Sequence, residues 1–189
     1  MKRIDAIREV AAKAEQSDTL LIANIGIPCK ELYSVCDMPN NFYMLGSMGL
    51  SSSIGLGLAL SRPKRKVISI DGDGSVLMNL GTLATIASRA PQNYLLIIVD
   101  NGAYGSTGNQ PTATLNHADL VEIAKGAGNK DVFEVDSPQG LRKILDEKDA
   151  GIIVVRAEPG NENVPVIKMC PDEIISRFMA ESSRPSRSV

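Results

Sequence analysis

Val67-Ile68-Ser69-Ile70-Asp71-Gly72-Asp73-Gly74-Ser75 is the stretch on which the fold turns. Val67 to Ile70 reads as a strand, and it runs straight into a turn of two acids and two glycines. Met78 to Ser88 reads as the following helix, closed by Pro91. A strand feeding a helix through a glycine turn is the building unit of an α/β sheet. Glycines let the backbone approach an anion, and free N–H groups at a helix start favour negative charge. A phosphate placed there would repel the Asp73 carboxylate. A hard cation such as Mg²⁺, bound by oxygens at about 2.1 Å, removes that conflict. Asp-Gly pairs at strand ends are also ordinary turns and caps, so this turn by itself leaves both readings open.

Working outward, Leu95 to Val99 is a continuous apolar run, as in a strand covered on both faces. It ends in a second oxygen-rich turn, Asp100-Asn101-Gly102-Ala103-Tyr104-Gly105. One helix and one strand fit between the two turns, so they can face each other across one metal ion. Upstream, Ile4, Ile7, Val10, Ala11 and Ala14 recur at helical spacing over residues 2 to 16. Leu20 to Ala23 is a short apolar run ended by Gly26 and Pro28. Cys29 to Val35 reads as a helix, and Phe42 to Met44 as a short strand before Gly46-Ser47-Met48-Gly49. Residues 50 to 60 are small and apolar, with Gly55 and Gly57 inside, which predicts a buried helix whose glycines allow close approach. Lys64-Arg65-Lys66 reads as a solvated turn. Downstream, Asn101 to Leu115 is an aperiodic loop, a length usually functional or mobile. Ala118–Ala127, Val132–Val135, Pro138–Leu145 and Ile152–Val155 then alternate helix and strand.

This order predicts one α/β domain over residues 1–180: three layers, a mostly parallel sheet with helices on both faces, and an unstructured tail at 181–189. Ligands of such folds sit beyond the carboxyl ends of the strands. The turns at 24–28, 71–75 and 100–108 all follow strand-like runs and are expected to gather on one edge.

Composition narrows the partners. Apolar residues make up 43% and charged residues 22% of the 189, ordinary for a soluble domain. A formal net charge of −2 offers nothing to nucleic acid or an acidic membrane, and the absence of Trp argues against a base-stacking platform. No apolar run approaches the roughly 20 residues of a membrane span. Met1-Lys2-Arg3-Ile4-Asp5 leads into an amphipathic helix rather than a signal region. Cys29, Cys36 and Cys170 form no Cys-x-x-Cys pair and no even count, which points to a reducing, cytoplasmic setting.

Together the two turns resemble the cofactor motif of the thiamine diphosphate enzymes: Gly-Asp-Gly, a helix and a strand, then Asn-Asn. Within that group the chain is similar to the β subunits of sulfopyruvate decarboxylases and to phosphonopyruvate decarboxylases. The likeness rests on Asn24-Ile-Gly-Ile-Pro28, Phe42-Tyr-Met-Leu-Gly-Ser-Met-Gly49, Asp71-Gly-Asp-Gly-Ser-Val-Leu-Met-Asn79 and Asn101-Gly-Ala-Tyr-Gly-Ser-Thr-Gly-Asn-Gln-Pro-Thr112. It covers most of the chain.

The resemblance implies the diphosphate-binding domain fold and assigns roles. Asp73 and the Asn101 side chain would ligate Mg²⁺, with the Ala103 carbonyl as a third ligand. Gly72, Gly74 and Ser75 would meet the diphosphate, with Gly26 and Ile27 helping from the other side and Ser106 nearby. In Gly46-Ser47-Met48, the Gly46 carbonyl would accept from the cofactor's 4′-amino group. Met48 would be the apolar wedge pressing its two rings together, an intramolecular geometry of high effective molarity. The family's first Asn is Asp100 here, and this extra carboxylate disturbs the local charge balance. These enzymes also need a pyrimidine domain carrying an activating Glu. No region of this chain is left over for one, so the resemblance implies a separate α subunit, a hetero-oligomer, and no catalytic residue on this chain alone. The implied reaction is decarboxylation of a small 2-oxo acid, sulfopyruvate first, in coenzyme M biosynthesis. Phosphonopyruvate, another 2-oxo acid, or a non-catalytic binding module are the alternatives.

Other residues weigh less. His117, at a predicted helix start, reads as surface. Ser106, Thr107 and Asn109 lie close enough to the metal turn to touch ligand or only shape the loop. Tyr104 reads as packing, and Cys29 as buried and inert. Of the basic residues at turns, Lys30 is the one near enough to Gly26 to meet an anionic substrate.

Overall fold

In the computed structural model, which describes residues 1–185, the two strands that carry the key turns lie side by side at the centre of the sheet. β3 (Val67–Gly72) pairs in parallel with β4 (Tyr94–Asp100), from Val67 opposite Tyr94 to Gly72 opposite Val99. β1 (Leu20–Ala23) and then β2 (Asn41–Tyr43) extend the sheet on one side. On the other, β8 (Gly151–Arg156) is followed by β7 (Val132–Val135). The order is β2-β1-β3-β4-β8-β7, and every pairing is parallel. Alternate residues of a strand face opposite sides, and all seven of β4 are buried, so both faces of the sheet are covered. That is why the run reads as uniformly apolar.

Two groups of helices supply the cover. α1 (Arg3–Ser17) packs against α2 (Ile27–Val35) and α7 (Pro138–Glu147), while α3 (Ser51–Ser61) lies on β1, β3 and β4. Gly55 lets α3 come close: a Cβ there would collide with Ser69 Oγ and sit 2.8 Å from the Tyr94 ring. The Tyr94 hydroxyl donates to Ser52 O at 2.9 Å, and Ser69 Oγ to Ser51 O at 2.9 Å, closing that seam. The direction of strand succession reverses between β1 and β3, the place where open α/β sheets form a ligand crevice. Among the described residues no helix is long and apolar enough to cross a membrane.

Five expectations change. The helix read at Met78–Ser88 starts later, as α5 (Gly81–Arg89), and a separate short helix, α4 (Asp73–Leu77), precedes it. Between them Asn79 donates its side-chain amide to Gly49 O (3.1 Å) and Ser53 Oγ (3.0 Å), strapping the joint to α3. α3 is not buried all round, since Leu50, Ile54 and Leu60 are exposed and Gly57 meets nothing. The loop from Asn101 contains a two-residue hairpin, β5 (Ala103–Tyr104) with β6 (Gln110–Pro111), then a 3₁₀ turn at Ala113–Leu115. Arg65 is not solvated: it is 3% exposed and donates to Asp18 O, Glu181 O and Arg184 O.

Those Arg65 bonds bear on the fifth change. α6 (Leu120–Gly126) is as expected, but α8 (Pro171–Ser182), unread in the sequence, runs past the start of the supposed tail. Glu181 and Ser182 are buried, with Arg62 Nε donating to Ser182 O at 3.0 Å. The tail from 186 to 189 lies outside the described residues.

Candidate active site

β1, β3 and β4 end together, and the turns after them line one cleft of about 270 Å³. That volume lies at the lower edge of the range for small-molecule sites. Gly26 starts α2 at φ +91°, a backbone region that side chains rarely enter. A Cβ there would stand 2.8 Å from Ser106 Oγ across the cleft. Gly26, Ile27, Gly72, Gly74, Ser75 and Ser106 all line it, as does Met48. Gly46 and Ser47 do not: they lie exposed on the turn before Met48.

The metal residues meet at one corner. The Asn101 side chain reaches to 3.3 Å from Asp73 Oδ1 and 3.0 Å from Ala103 O. With its nitrogen turned inward, the amide donates to both. With its oxygen turned inward, that oxygen faces Asp73 Oδ1 and Ala103 O with no proton between them and accepts only from Ala103 N–H at 3.3 Å, an arrangement that a cation relieves. Octahedral Mg²⁺ with bonds of about 2.1 Å has neighbouring oxygens about 3.0 Å apart, close to these spacings. The donor set is hard: one carboxylate, one carboxamide and one backbone carbonyl. Among the described residues no cluster of three His, Cys, Asp or Glu side chains is placed to hold a metal instead. The residues fit a magnesium-type ion.

Asp73 is 2% exposed, and its Oδ2 accepts from Thr112 Oγ1 and, at 2.9 Å, from Thr114 Oγ1. Burial raises its pKa, the two threonine hydroxyls oppose that rise, and the neighbouring Asp100 charge adds to it. Asp100 itself is balanced: Arg156 Nη1 binds Oδ2, and Thr114 Oγ1 lies 2.7 Å from Oδ1. The departure from the family's Asn is therefore matched by a cation from β8.

The first-turn N–H groups of α4 have no intrahelical acceptor and open on the cleft. The helix is five residues long, so these donors, more than a macrodipole, are what an anion would meet. Ser75 Oγ accepts from Gly49 N–H at 2.9 Å, which ties this turn to the one bearing Met48. A Cβ on Gly74 would run into the Tyr104 ring, so Tyr104 packs. Beneath the turn, Asp71 is fully buried, which raises its pKa; its Oδ1 accepts from Gly72 N–H at 3.0 Å.

Thr107 also lines the cleft, whereas Lys30 and Asn109 do not, and His117 is exposed. Cys29 is buried, its thiol donates to backbone carbonyls, and burial pushes its pKa up to about 12. The sequence reading missed four residues. Arg3 is the cation in the lining, held by Glu31 at 2.8 and 3.0 Å and by Asn161 Oδ1 at 2.9 Å. Asn161 in turn donates to Gly105 O at 2.7 Å. Asn24 lines the cleft with a buried Oδ1 that has no partner. Thr112 and Thr114 sit behind the metal corner. Asn24 and Thr112 lay inside the quoted motifs, but no local signal marks Arg3 or Thr114.

Comparison with known proteins agrees. Residues 25–155 match the family described as "Thiamine pyrophosphate enzyme, C-terminal TPP binding domain". Sulfopyruvate decarboxylase subunit beta of Methanocaldococcus jannaschii is 49% identical over 187 residues, 97% of this chain and 98% of that protein. Sulfopyruvate decarboxylase of Methanosarcina acetivorans is 48% identical over 94% of this chain but only 46% of its own length. Phosphonopyruvate decarboxylase of Streptomyces viridochromogenes is 35% identical over 97% of this chain and 47% of its own. Fold, cleft and kinship converge: the chain belongs to the thiamine diphosphate enzymes, as their C-terminal cofactor-binding type of domain, in the decarboxylase branch that holds the sulfopyruvate decarboxylase β subunits.

Proposed function

We propose that this chain is the β subunit of a Mg²⁺- and thiamine diphosphate-dependent decarboxylase that converts sulfopyruvate to sulfoacetaldehyde and CO₂, a cytoplasmic lyase of coenzyme M biosynthesis. The observation that carries the reading is the corner of Asp73 Oδ1, Asn101 and Ala103 O beside the open amides of the Gly72–Ser75 turn. When bound, thiamine diphosphate supplies the electron sink that loss of CO₂ from a 2-oxo acid requires. The chain's own residues hold and orient. Asp73, Asn101 and Ala103 carry the cation that neutralises the diphosphate, and Gly72, Gly74 and Ser75 line its tail. Met48 offers apolar surface to the rings, with the Gly46 carbonyl and Ser47 next to it. The higher identity to the sulfopyruvate enzyme than to the phosphonopyruvate enzyme, 49% against 35%, favours the sulfonate.

A separate α subunit is part of this reading. Asp73 is the one carboxylate in the cleft's lining among the described residues, and Thr112 and Thr114 already engage it. The activating acid must come from elsewhere. The M. acetivorans relative carries more than half its length outside the matched region, room for such a domain. Leu45, Leu50, Ile54, Met78 and Leu80 are exposed apolar residues, as is Met48 in the cleft lining, and they are the residues offered to the α subunit. The three cysteines are free, as a reducing compartment requires.

Assaying the purified pair with sulfopyruvate and phosphonopyruvate tests the substrate; turnover of phosphonopyruvate alone rejects the sulfonate. Calorimetry with thiamine diphosphate and Mg²⁺ tests the rest. Binding without turnover of either acid favours a non-catalytic module, and no binding by the chain or the pair rejects the cofactor.

A further inference from the structure

Resting on that reading of the metal corner, we infer that Thr112 and Thr114 are positioning residues that keep Asp73 a one-oxygen ligand and so set the cation preference of the site, with the Asp100–Arg156 ion pair holding Thr114 in place. The two oxygens of Asp73 have different surroundings. Oδ1 lies 3.3 Å from the Asn101 amide, which also reaches Ala103 O. Oδ2 faces away, accepting from both threonine hydroxyls. A carboxylate fixed in this way presents a single oxygen to the corner and cannot turn to offer both.

Proton accounting explains the second pair. Thr114 has one hydroxyl proton, and its Oγ1 lies 2.9 Å from Asp73 Oδ2 and 2.7 Å from Asp100 Oδ1. The two carboxylates therefore compete for it. Asp100 is otherwise provided for: Arg156 Nη1 binds its Oδ2, and Gly102 N–H approaches its Oδ1 at 3.3 Å. With the Asp100 charge partly neutralised in this way, Thr114 can share its proton with Asp73 Oδ2 while still donating to Asp100 Oδ1. Arg156 is itself steadied by Glu134 at 2.5 Å, with Asp119 at 3.7 Å. The same contacts anchor the segment after the β5–β6 hairpin to the metal turn, and Thr112 N–H donates to Gly102 O at 3.0 Å.

The consequence is selectivity. Mg²⁺ takes six oxygens in a tight octahedron, whereas Ca²⁺ accepts six to eight and readily takes a bidentate carboxylate. Releasing Oδ2 should weaken the site for Mg²⁺ and improve it relatively for Ca²⁺. Hydroxyls that merely satisfy a buried carboxylate would lower stability without changing that ratio.

The test measures thiamine diphosphate binding to the chain paired with its α subunit, by calorimetry, while Mg²⁺ or Ca²⁺ is titrated. For Thr112→Val and Thr114→Val the half-saturating Mg²⁺ concentration should rise about tenfold or more, the usual effect of losing an outer-shell partner. The Ca²⁺ value should stay constant or fall. Thr112→Ser and Thr114→Ser should restore the wild-type ratio. Arg156→Gln leaves both hydroxyls in place and should shift the ratio the same way by a smaller factor, which keeps the test open where a valine variant folds poorly. An unchanged Mg²⁺ to Ca²⁺ ratio in folded valine variants, beside a wild-type pair that binds normally, overturns the positioning role alone. A wild-type pair that binds the cofactor without any divalent ion overturns the reading of the corner and this inference with it.

Discussion

Asp73 sits where burial disfavours its charge; two hydroxyls compensate on one oxygen, and in the proposed site a cation would do so on the other. Asp73→Ala is predicted to abolish Mg²⁺-dependent thiamine diphosphate binding while circular dichroism stays unchanged, because the proposed role of the lost carboxylate is that of a ligand rather than a core packing element. Mg²⁺-dependent activity retained in that variant would assign the ligand elsewhere. Gly26 makes a different prediction. An added methyl meets a backbone strain of about 1–3 kcal/mol and stands 2.8 Å from Ser106 Oγ, so Gly26→Ala should lower both melting temperature and cofactor affinity. Equal affinity by calorimetry would show that Ser106 moves aside freely. At this scale the sequence displayed what local motifs can display: Asp73, Asn101 and the glycines of the turns. Arg3 and Thr114 were invisible because their roles depend on partners distant in the chain, Asn161 and Glu31 for one, Asp73 and Asp100 for the other.

Most elements long enough to show a period were legible, α8 being the exception. β1, β3 and β4 and helices α1, α2 and α7 lie where apolar spacing placed them. The β5–β6 hairpin strands are two residues each, below any window in which a period can register. The α4–α5 break is caused by a tertiary strap from Asn79, which propensity does not contain. α8 did carry a start signal, Pro171-Asp172-Glu173, with the Glu173 carboxylate accepting Cys170 N–H at 2.7 Å. It docks on β2 through Phe178, whose ring centre is 5.3 Å from that of Phe42, and through Arg177 on Asp37. Burial works against the Asp37 charge, but Arg177 and Tyr43 outweigh it and hold its pKa below the ordinary 3.8. A carboxylate with a lowered folded-state pKa stabilises the fold above its unfolded value and loses that contribution as pH falls through the folded one. Asp37→Asn should therefore lower the melting temperature at pH 7 by an amount equivalent to about 1 kcal/mol or less, given the partial exposure of the pair. The gap should close as pH is taken below 3.8. A gap that persists in acid would mean that packing, and not the ion pair, holds α8.

For the whole molecule, the central prediction is incompleteness. Exposed apolar residues accompany a cleft that lacks an activating acid among its described lining residues. Ile54→Glu, on the exposed side of α3, should leave the chain folded and abolish co-elution with the α subunit in size-exclusion chromatography; undiminished pairing would move the docking face elsewhere. The parallel order also has a temporal consequence. β1, β3 and β4 can join as soon as residue 100 has been made, yet Asp100 waits for Arg156 and Gly105 waits for Asn161. During synthesis the sheet's centre forms before the metal corner is balanced. A chain truncated before β8 would therefore leave the Asp100 charge beside the proposed metal corner without its Arg156 partner.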